Sequence, residues 1–424
     1  MREGLILSKI KESYGGLPRS IYILFIARII NRIGGFVYAF LTIYMRTKLG
    51  MSESEIGYFI MIQGALSMAS PFVGGHIADK KGRKFIYILA PSISAALFMA
   101  CGIFTDTNPE IVPILIIIAS MLNNLVGPIN SAMVADITKT PEERRKAYSL
   151  LYLGINLGVA IGPIIGGFLL ANYTKWFFFG DGITTFLSVI LVAIFVKETM
   201  LSHDEMKLFE GNEKMESGST LRVLFKKPVL VVFTVFSMLS ATVYAQSSFG
   251  FSLHLADVFG DELGPKYLGM LMSFNAIVVI IFTMFITEFL KNKEEINNIA
   301  IASLLNAIGF GMLAFVGGQL PLYFLSVLIW TWGEIIMVTN NSVFIMSHTP
   351  VNYRGRFNAI ISFITGVGFV TSPKIMSYFI EGYGYQVAWQ VVGAAALIST
   401  IGFILTGKID SRRNDNKADS RKRA

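Results

Sequence analysis

Residues 74–84 read Gly-Gly-His-Ile-Ala-Asp-Lys-Lys-Gly-Arg-Lys, a tight basic turn between two long apolar runs. The glycines leave a small-residue face on which a neighbouring helix can pack closely. Asp79 then lies beside several Arg and Lys side chains, and such pairs form strong, charge-assisted hydrogen bonds. We interpret the stretch as the end of one membrane helix, a cationic turn at the membrane surface and the start of the next helix.

The composition indicates an integral membrane protein. Of the 424 residues, 53% are hydrophobic and only 15% are charged, whereas an ordinary soluble domain is less apolar and more charged. Apolar runs long enough to cross a bilayer recur along the chain, and in lipid such runs must be helical because their backbone groups find no water to bond. The predicted fold class is therefore all-α, a polytopic membrane protein.

Hydropathy predicts twelve spans, an even number that places both termini on one side of the membrane. Most Lys and Arg residues lie in the amino-terminal arm, in alternate loops and in the tail, which marks that side as cytoplasmic. We expect a multi-pass protein of the plasma membrane. The predicted spans are residues 21–44, 54–78, 85–104, 111–135, 147–171, 177–196, 229–255, 267–290, 299–316, 322–347, 357–380 and 387–406.

The two halves of the chain repeat each other. A single offset places Arg144 on Arg354 and Pro163 on Pro373, and that offset is about half the chain. A repeat of this length is typical of two parallel six-helix halves related by an axis along the membrane normal. The expected organisation is an amino-terminal arm at 1–20, a first half at 21–196, a cytoplasmic linker at 197–227, a second half at 228–406 and a basic tail at 407–424.

The sequence disfavours several kinds of site and activity. The one cysteine, Cys101, lies within a span, and the four histidines are dispersed, so neither a disulfide framework nor a metal site is expected. No catalytic spacing or nucleotide loop occurs, so we expect no enzyme activity and no cofactor. The residues responsible for the net charge of +8 lie mainly on the cytoplasmic side of the membrane. The charge therefore does not indicate binding to nucleic acid.

The turn at 74–84 resembles the signature between helices 2 and 3 of the major facilitator superfamily, Gly-x-Leu-x-Asp-Arg-x-Gly-Arg-Lys. Ile77 and Lys80 are mild departures from that signature. The resemblance implies a cytoplasmic charge network that controls gating, in which Asp136 at the end of span 4 takes part. The residues assigned to gating are Gly75, Asp79, Gly82, Arg83, Lys84, Asp136 and Arg144.

Span 5 carries glycines at four-residue spacing, which clear a groove for a second helix, and a proline that permits a kink. The run resembles the superfamily's antiporter signature, G-x-x-x-G-P-x-x-G-G, which is typical of twelve-helix drug:proton antiporters. Close helix packing of a general kind also explains the spacing. The residues of this motif are Gly154, Gly158, Gly162, Pro163, Gly166 and Gly167.

Glu334 lies near the middle of span 10 and is the clearest functional carboxylate in the sequence. A charged group within a span costs about 2.5 to 3.5 kcal/mol on insertion scales, so it needs an explanation. A carboxylate out of water favours its protonated form and can release the proton when water or a cation enters. The Gly-Glu pair resembles that of proton-coupled branches of the superfamily, both drug antiporters and peptide symporters.

Span 1 holds Arg28 and Arg32 on one helix face, with Asn31 beside them. Snorkelling to the cytoplasmic headgroups is one explanation of these arginines, and lining of a cavity is the other. Asn123 stands where many proton antiporters have an arginine, so Arg28 or Arg32 is expected to supply the cation for Glu334. Asn124 completes the residues assigned to proton coupling or the substrate cavity.

Two further charged residues lie within predicted spans. Asp181, at the outer start of span 6, is interpreted as an interfacial helix cap. Lys374, after Pro373 in span 11, either lines the cavity or snorkels outward.

The sequence as a whole predicts a secondary transporter that works by alternating access between its two halves. We expect proton-coupled export of hydrophobic or amphipathic compounds, with a small-molecule substrate, protons as the coupling ion and the bilayer as partners of a monomer. Proton-coupled uptake of peptides or other nutrients is the alternative. A membrane-embedded receptor or enzyme is the alternative from another class, and the soluble segments are short for a sensory domain.

Overall fold

The computed structural model describes residues 15–199, 224, 227–349 and 354–423. Within these residues the regular structure is thirteen α-helices and three short 3-10 helices. The helices are α1 (Arg19–Gly34), α2 (Val37–Thr47), α3 (Glu53–Lys81), α4 (Arg83–Phe104), α5 (Val112–Asn124), α6 (Val126–Ile137), α7 (Pro141–Asn172), α8 (Thr174–Phe195), α9 (Pro228–Tyr244), α10 (Gly250–Leu290), α11 (Glu295–Gly311), α12 (Leu320–His348) and α13 (Arg354–Arg423).

Ten helical segments of the described chain are long and apolar enough to cross a membrane. Two of these segments, Pro228–Leu290 with 63 residues and Phe357–Ser411 with 55 residues, are long enough for two spans each. Gly260 (φ 77°) and Gly384 (φ 79°) break them, because glycine adopts this left-handed backbone without steric cost. The predictions of an all-α fold and of twelve spans are confirmed.

The chain forms two compact units. The first comprises the described residues within 15–50, 62–199 and 255–276. In this unit α1 packs against α7 and α8, and α4 packs against α5 and α8. Its apolar core includes Leu24, Met133 and Leu151. The two helices α1 and α2 together make the first predicted span.

Gly158 and Gly162 of α7 lie against α1. A Cβ atom on Gly158 would be 2.4 Å from Cβ of Arg32, and one on Gly162 would be 2.7 Å from the carbonyl oxygen of Ile33. Only glycine allows the two backbones to approach this closely. The glycine spacing of span 5 therefore corresponds to a helix contact in the structure.

The second unit comprises the described residues within 51–61, 224–254 and 277–423. Here α9 packs against α13, and α11 packs against α12 and α13. A Cβ atom on Gly368 of α13 would be 2.5 Å from the carbonyl oxygen of Met238 on α9. Gly368 thus contacts α9 in the second unit, as Gly158 contacts α1 in the first unit.

Lys374 of α13 contacts the first turns of α3, which belong to the same unit. Its Nζ donates a hydrogen bond to Oγ of Ser54 and lies 3.7 Å from the centre of the Tyr58 ring. Glu381, two turns further along α13, accepts a hydrogen bond of 2.6 Å from the backbone N–H of Ser54. Lys374 therefore takes part in a contact between α13 and α3.

Candidate functional site

A cavity of about 410 Å³ lies inside the first unit, among α1, α4, α5, α6 and α8. Its volume falls in the range of small-molecule sites. Four residues that the sequence assigned to the cavity line it: Arg28, Asn31, Arg32 and Asn124. The structure therefore brings these four side chains to one space, as a cavity-lining role requires.

The two arginines face a polar wall. Asn123 donates a 3.1 Å hydrogen bond from Nδ2 to the hydroxyl of Tyr38, and both residues line the cavity. Nε of Arg28 is buried and has no hydrogen-bond partner among the described residues. Buried donors nearly always have a protein or water partner, so this guanidinium is a candidate to bind water or a polar ligand group.

Asp181 also lines this cavity, which sequence analysis missed. Its side chain is 2% exposed, so the expectation of an interfacial cap on span 6 was wrong. One carboxylate oxygen accepts a 3.1 Å hydrogen bond from the backbone N–H of Val37, the first residue of α2. The carboxylate thus satisfies an N–H group at the point where the first span is interrupted.

Hydrogen bonds through Thr185 link Asp181 to α1, the helix that carries the two arginines. Asn31 donates a 3.2 Å hydrogen bond to Thr185, and Thr185 donates to Asp181 at 3.5 Å. Arg32, one residue after Asn31, lines the same cavity as Asp181. The acid that shares a space with the two arginines in this unit is therefore Asp181.

A second pocket, of about 210 Å³, lies in the second unit and contains Glu334. The residues that line it come from α9, α11, α12 and α13, and on α9 and α12 they follow the three- and four-residue spacing of one helix face. The lining residues are Ser237, Ser240, Ala241, Tyr244, Asn306, Glu334, Met337, Val338, Asn341, Thr365 and Phe369.

The helix around Glu334 is held tightly. A Cβ atom on Gly333 would be 2.6 Å from Oδ1 of Asn306 and 2.7 Å from the carbonyl oxygen of Ala302. Trp330 is 5% exposed and stacks on Phe310 with ring centres 5.6 Å apart. This packing gives Glu334 a rigid backbone from which to face the pocket.

Trp330 and Trp332 have different neighbours, as their spacing predicts. Trp330 also meets the ring of Tyr244, a residue of the pocket wall, at 6.1 Å, whereas Trp332 contacts Phe282 at 5.9 Å. Trp330 therefore stands behind the pocket wall, and Trp332 points to another face of α12.

Three oxygen atoms of the second pocket are buried without a hydrogen-bond partner among the described residues. They are Oγ of Ser237, Oδ1 of Asn306 and Oδ1 of Asn341. None of these three residues was predicted from the sequence to line a site. The usable signal is periodicity, because Asn341 follows Glu334 by seven residues and so lies on the same face of α12.

The basic turn at 74–84 forms a charge cluster at the end of span 4. Arg83 makes an ion pair with Asp136, as the resemblance implied, and the Asp136 side chain is only 7% exposed. Nη2 of Arg144 donates to the carbonyl oxygen of Ala135 at 3.2 Å. The side chain of Asp79 lies outside the described residues.

Glu198 is a member of this cluster that the sequence did not reveal. Its carboxylate accepts hydrogen bonds from the backbone N–H groups of Arg83 at 3.1 Å and Lys84 at 3.2 Å. These N–H groups begin α4, where a carboxylate is favoured by both hydrogen bonding and the helix dipole. Gly82, at φ 96°, leaves the space that the Glu198 carboxylate occupies.

In the turn at 74–84, the glycine in close contact with a neighbouring helix is Gly74 and not the motif glycine Gly75. A Cβ atom on Gly74 would be 2.6 Å from the carbonyl oxygen of Leu125, whereas one on Gly75 would meet nothing within 4 Å. Gly74 is therefore the glycine that allows the close contact with Leu125, and the assignment of Gly75 to gating stays a prediction.

Comparison with known proteins assigns the fold a family. A family model described as Major Facilitator Superfamily matches residues 24–373. The "Na(+), Li(+), K(+)/H(+) antiporter" of Planococcus maritimus is 25% identical and aligns over 87% of this chain and 90% of its own length. "Quinolone resistance protein NorA" of Staphylococcus aureus is 24% identical over 89% of this chain and 94% of its own length.

Solved structures agree with this fold. The nucleoside transporter NupG superposes with a TM-score of 0.75 at 18% identity, over 92% of this chain and all of its own. A POT family transporter in complex with a thioalcohol-conjugated peptide gives a TM-score of 0.76 at 16% identity, over 94% of this chain and 98% of its own. Likeness at such identities establishes the fold and leaves the substrate open.

Proposed function

The chain belongs to the major facilitator superfamily, and from that premise we propose that it is a proton-coupled antiporter that exports hydrophobic or amphipathic compounds. Members of this fold transport by alternating access around sites near the bilayer midplane. We assign the coupling proton to Glu334. The protein acts as a multi-pass transporter of the plasma membrane, as a monomer, with both termini in the cytoplasm.

The position of Glu334 carries this proposal. The carboxylate lines a membrane-embedded pocket whose remaining walls include Tyr244, Met337, Val338 and Phe369. These side chains offer apolar surface to a hydrophobic substrate. A carboxyl group that lines such a pocket is placed to exchange a proton when water or a cationic group enters.

The named relatives support the two parts of the proposal. A relative named for antiport of sodium, lithium and potassium against protons supports exchange with protons. A relative named for quinolone resistance supports a drug-like substrate. Both relatives align over most of this chain, at 25% and 24% identity.

The network around residues 74–84 is assigned to the conformational switch. Arg83, Asp136 and Glu198 tie the start of α4 to the ends of the fourth and sixth spans. A largely buried ion pair is stable only while its two partners are in contact. It can therefore stabilise one conformational state of a transport cycle relative to the others. The glycines of α7 serve the same cycle by allowing close contact with α1.

The test of this function is pH-driven transport by Glu334→Gln in proteoliposomes. Glutamine mimics the protonated acid and cannot exchange a proton. We expect the variant to lose uphill transport of a neutral amphipathic dye when a pH gradient is imposed, while downhill equilibration of the same dye continues.

Glu110→Gln is the matched control, because Glu110 is exposed and the chemical change is the same. This control should transport at the wild-type rate. Uphill, pH-driven export at the wild-type rate by Glu334→Gln would refute the assignment. Accumulation of the dye in the direction of proton flow by the wild type would indicate symport.

A further inference from the structure

The cavity of the first unit carries more positive than negative charge on its walls. Arg28 and Arg32 contribute two positive charges, and Asp181 is the one acid among the residues that line it. Among the described residues, neither guanidinium forms a hydrogen bond or an ion pair. A charge away from bulk water is costly unless hydrogen bonds and an opposite charge compensate it. The two arginines therefore call for an anionic group that can enter the cavity.

Asp181 is held by other groups and leaves the arginines available to a ligand. One of its carboxylate oxygens accepts a 3.1 Å hydrogen bond from the backbone N–H of Val37. The other oxygen accepts a hydrogen bond from the hydroxyl of Thr185 at 3.5 Å. In the described part of the chain, Asp181 makes no ion pair. It therefore reduces the positive charge of the cavity without binding either guanidinium.

One ligand can reach both guanidinium groups. Arg28 and Arg32 lie one helical turn apart on α1, and side chains at this spacing are neighbours on a helix surface. Arg32 is exposed and Arg28 is half-buried, so the cavity that they line gives a ligand access to both. The base of the Arg32 side chain is fixed by close packing on α7, where a Cβ atom on Gly158 would be 2.4 Å from Cβ of Arg32. Such fixing reduces the conformational freedom that the arginine loses when a ligand binds.

We propose that this cavity binds the carboxylate group of an amphipathic monocarboxylate, and that compounds of this class are the preferred substrates of the transporter. The planar guanidinium group matches a carboxylate through two parallel hydrogen bonds. The rest of the wall includes Ala27, Pro91, Val126 and Val189, which offer apolar surface to the body of the ligand. The volume of about 410 Å³ is that of a site for a small molecule. This inference rests on the proposed function, and it names the chemical class of the amphipathic substrate.

The balance of charge selects a ligand with one negative charge. With Asp181 ionised, the lining residues have a surplus of one positive charge, which one carboxylate neutralises, whereas a dicarboxylate would leave a negative charge without a partner. A neutral compound of the same shape binds more weakly, because it uses the apolar walls alone. Loss of the Asp181 charge increases the positive surplus and so favours the anion. Removal of an arginine should therefore weaken carboxylate binding, and removal of the Asp181 charge should strengthen it.

Equilibrium binding of a charged and an uncharged form of one fluorescent compound tests the proposal. The probes are 7-methoxycoumarin-3-carboxylate and its carboxamide. Each is titrated with purified full-length protein in detergent and followed by fluorescence polarisation, with the signal from protein-free micelles subtracted. We expect the wild type to bind the carboxylate about tenfold more tightly than the carboxamide, because hydrogen bonds to charged groups are worth that much or more. Arg28→Gln and Arg32→Gln should each remove this preference, whereas Asp181→Asn should increase it.

Arg145→Gln is the matched control, because Arg145 is exposed in the first turns of α7 and the chemical change is the same. This variant should keep the wild-type preference for the carboxylate. Equal affinities of the wild type for the two probes would overturn the proposal. A preference that persists in both arginine variants, or that is no larger in Asp181→Asn, would also overturn it. The Asp181 measurement decides the matter if the arginine variants do not fold.

The anion site and the antiport function fail in different ways. Glu334 lines a different pocket, so the two roles can be measured separately. If the wild type shows no preference for the carboxylate but Glu334→Gln still loses pH-driven transport of the neutral dye, the anion site is wrong and the antiport function stands. If the preference depends on the arginines, yet Glu334→Gln transports normally in a pH gradient, the anion site stands and the coupling role of Glu334 fails.

Discussion

The carboxylate of Asp181 serves two purposes within the first unit. It accepts the N–H of Val37 at 3.1 Å, which compensates for the break between α1 and α2. It also contributes the acidic group to a cavity that contains Arg28 and Arg32. A single buried acid thus links local backbone structure to the charge of a candidate binding cavity.

Substitution at Asp181 should separate these two purposes. Asparagine retains an acceptor oxygen for the Val37 N–H, whereas alanine leaves that N–H unsatisfied, at a cost of about 1 to 3 kcal/mol. We expect Asp181→Ala to lower the melting temperature of the purified protein clearly below that of Asp181→Asn, as measured by thermal unfolding in detergent. Equal melting temperatures for the two variants would show that the hydrogen bond contributes nothing to stability.

Individual residues show where sequence reasoning reaches its limit. Glu334 could be found because a charge in an apolar span is conspicuous. Asp181 also lies within a predicted span, but its hydrogen bond with the backbone N–H of Val37 depends on the break after Gly34, which hydropathy does not detect. Asn306 could not be assigned at all, because a polar residue that faces a pocket and one that faces another helix look alike in the sequence.

At the scale of elements, the contact between α7 and α1 is set by backbone approach. At Gly162 an added Cβ would be 2.7 Å and 2.8 Å from the carbonyl oxygens of Ile33 and Arg32. Backbone atoms cannot move aside as a flexible side chain can. The contact therefore excludes even the smallest side chain unless the helices separate.

Alanine at Gly162 should therefore impair transport without preventing membrane insertion. We expect Gly162→Ala to reduce the transport rate at least tenfold, measured in vesicles with equal amounts of inserted protein. Gly382→Ala is the control, since a Cβ there would meet nothing within 4 Å, and it should retain the wild-type rate. Wild-type transport by Gly162→Ala would mean that the contact opens at little cost.

The ends of the spans could be predicted where hydrophobicity changes along the chain. Helix ends that are set by the backbone conformation could not be predicted in this way. The twelve spans follow from apolar length alone. The division of the first span into Arg19–Gly34 and Val37–Thr47 does not, because both parts are apolar. The capping of α4 by Glu198 was also beyond the sequence, since its partners lie more than a hundred residues away.

At the scale of the whole molecule, the Arg83 network is expected to set the rate of the conformational switch. Asp136→Asn removes the anionic partner of Arg83 from a site of low exposure. We expect turnover to fall severalfold while substrate affinity stays within a few-fold, measured as transport rate and as equilibrium binding. The network lies at the turn on the membrane surface. Asp136 is therefore not expected to contact the substrate, and its substitution should not remove a binding interaction.

Asp106→Asn is the control for this prediction. Asp106 pairs with Lys175 at 2.9 Å, but both side chains are more than half exposed, and exposed ion pairs contribute little. This variant should transport like the wild type. A collapse of substrate affinity in Asp136→Asn with turnover preserved would show that Asp136 belongs to the binding site.

The central claim is that Glu334 carries the proton exchanged for substrate. It is tested most directly by substrate-driven proton movement in proteoliposomes that contain a trapped pH indicator. For the wild type, a gradient of a neutral transported compound should drive protons in the opposite direction, and Glu334→Gln should move substrate without protons. Equal proton movement by the wild type and by Glu334→Gln would contradict the account.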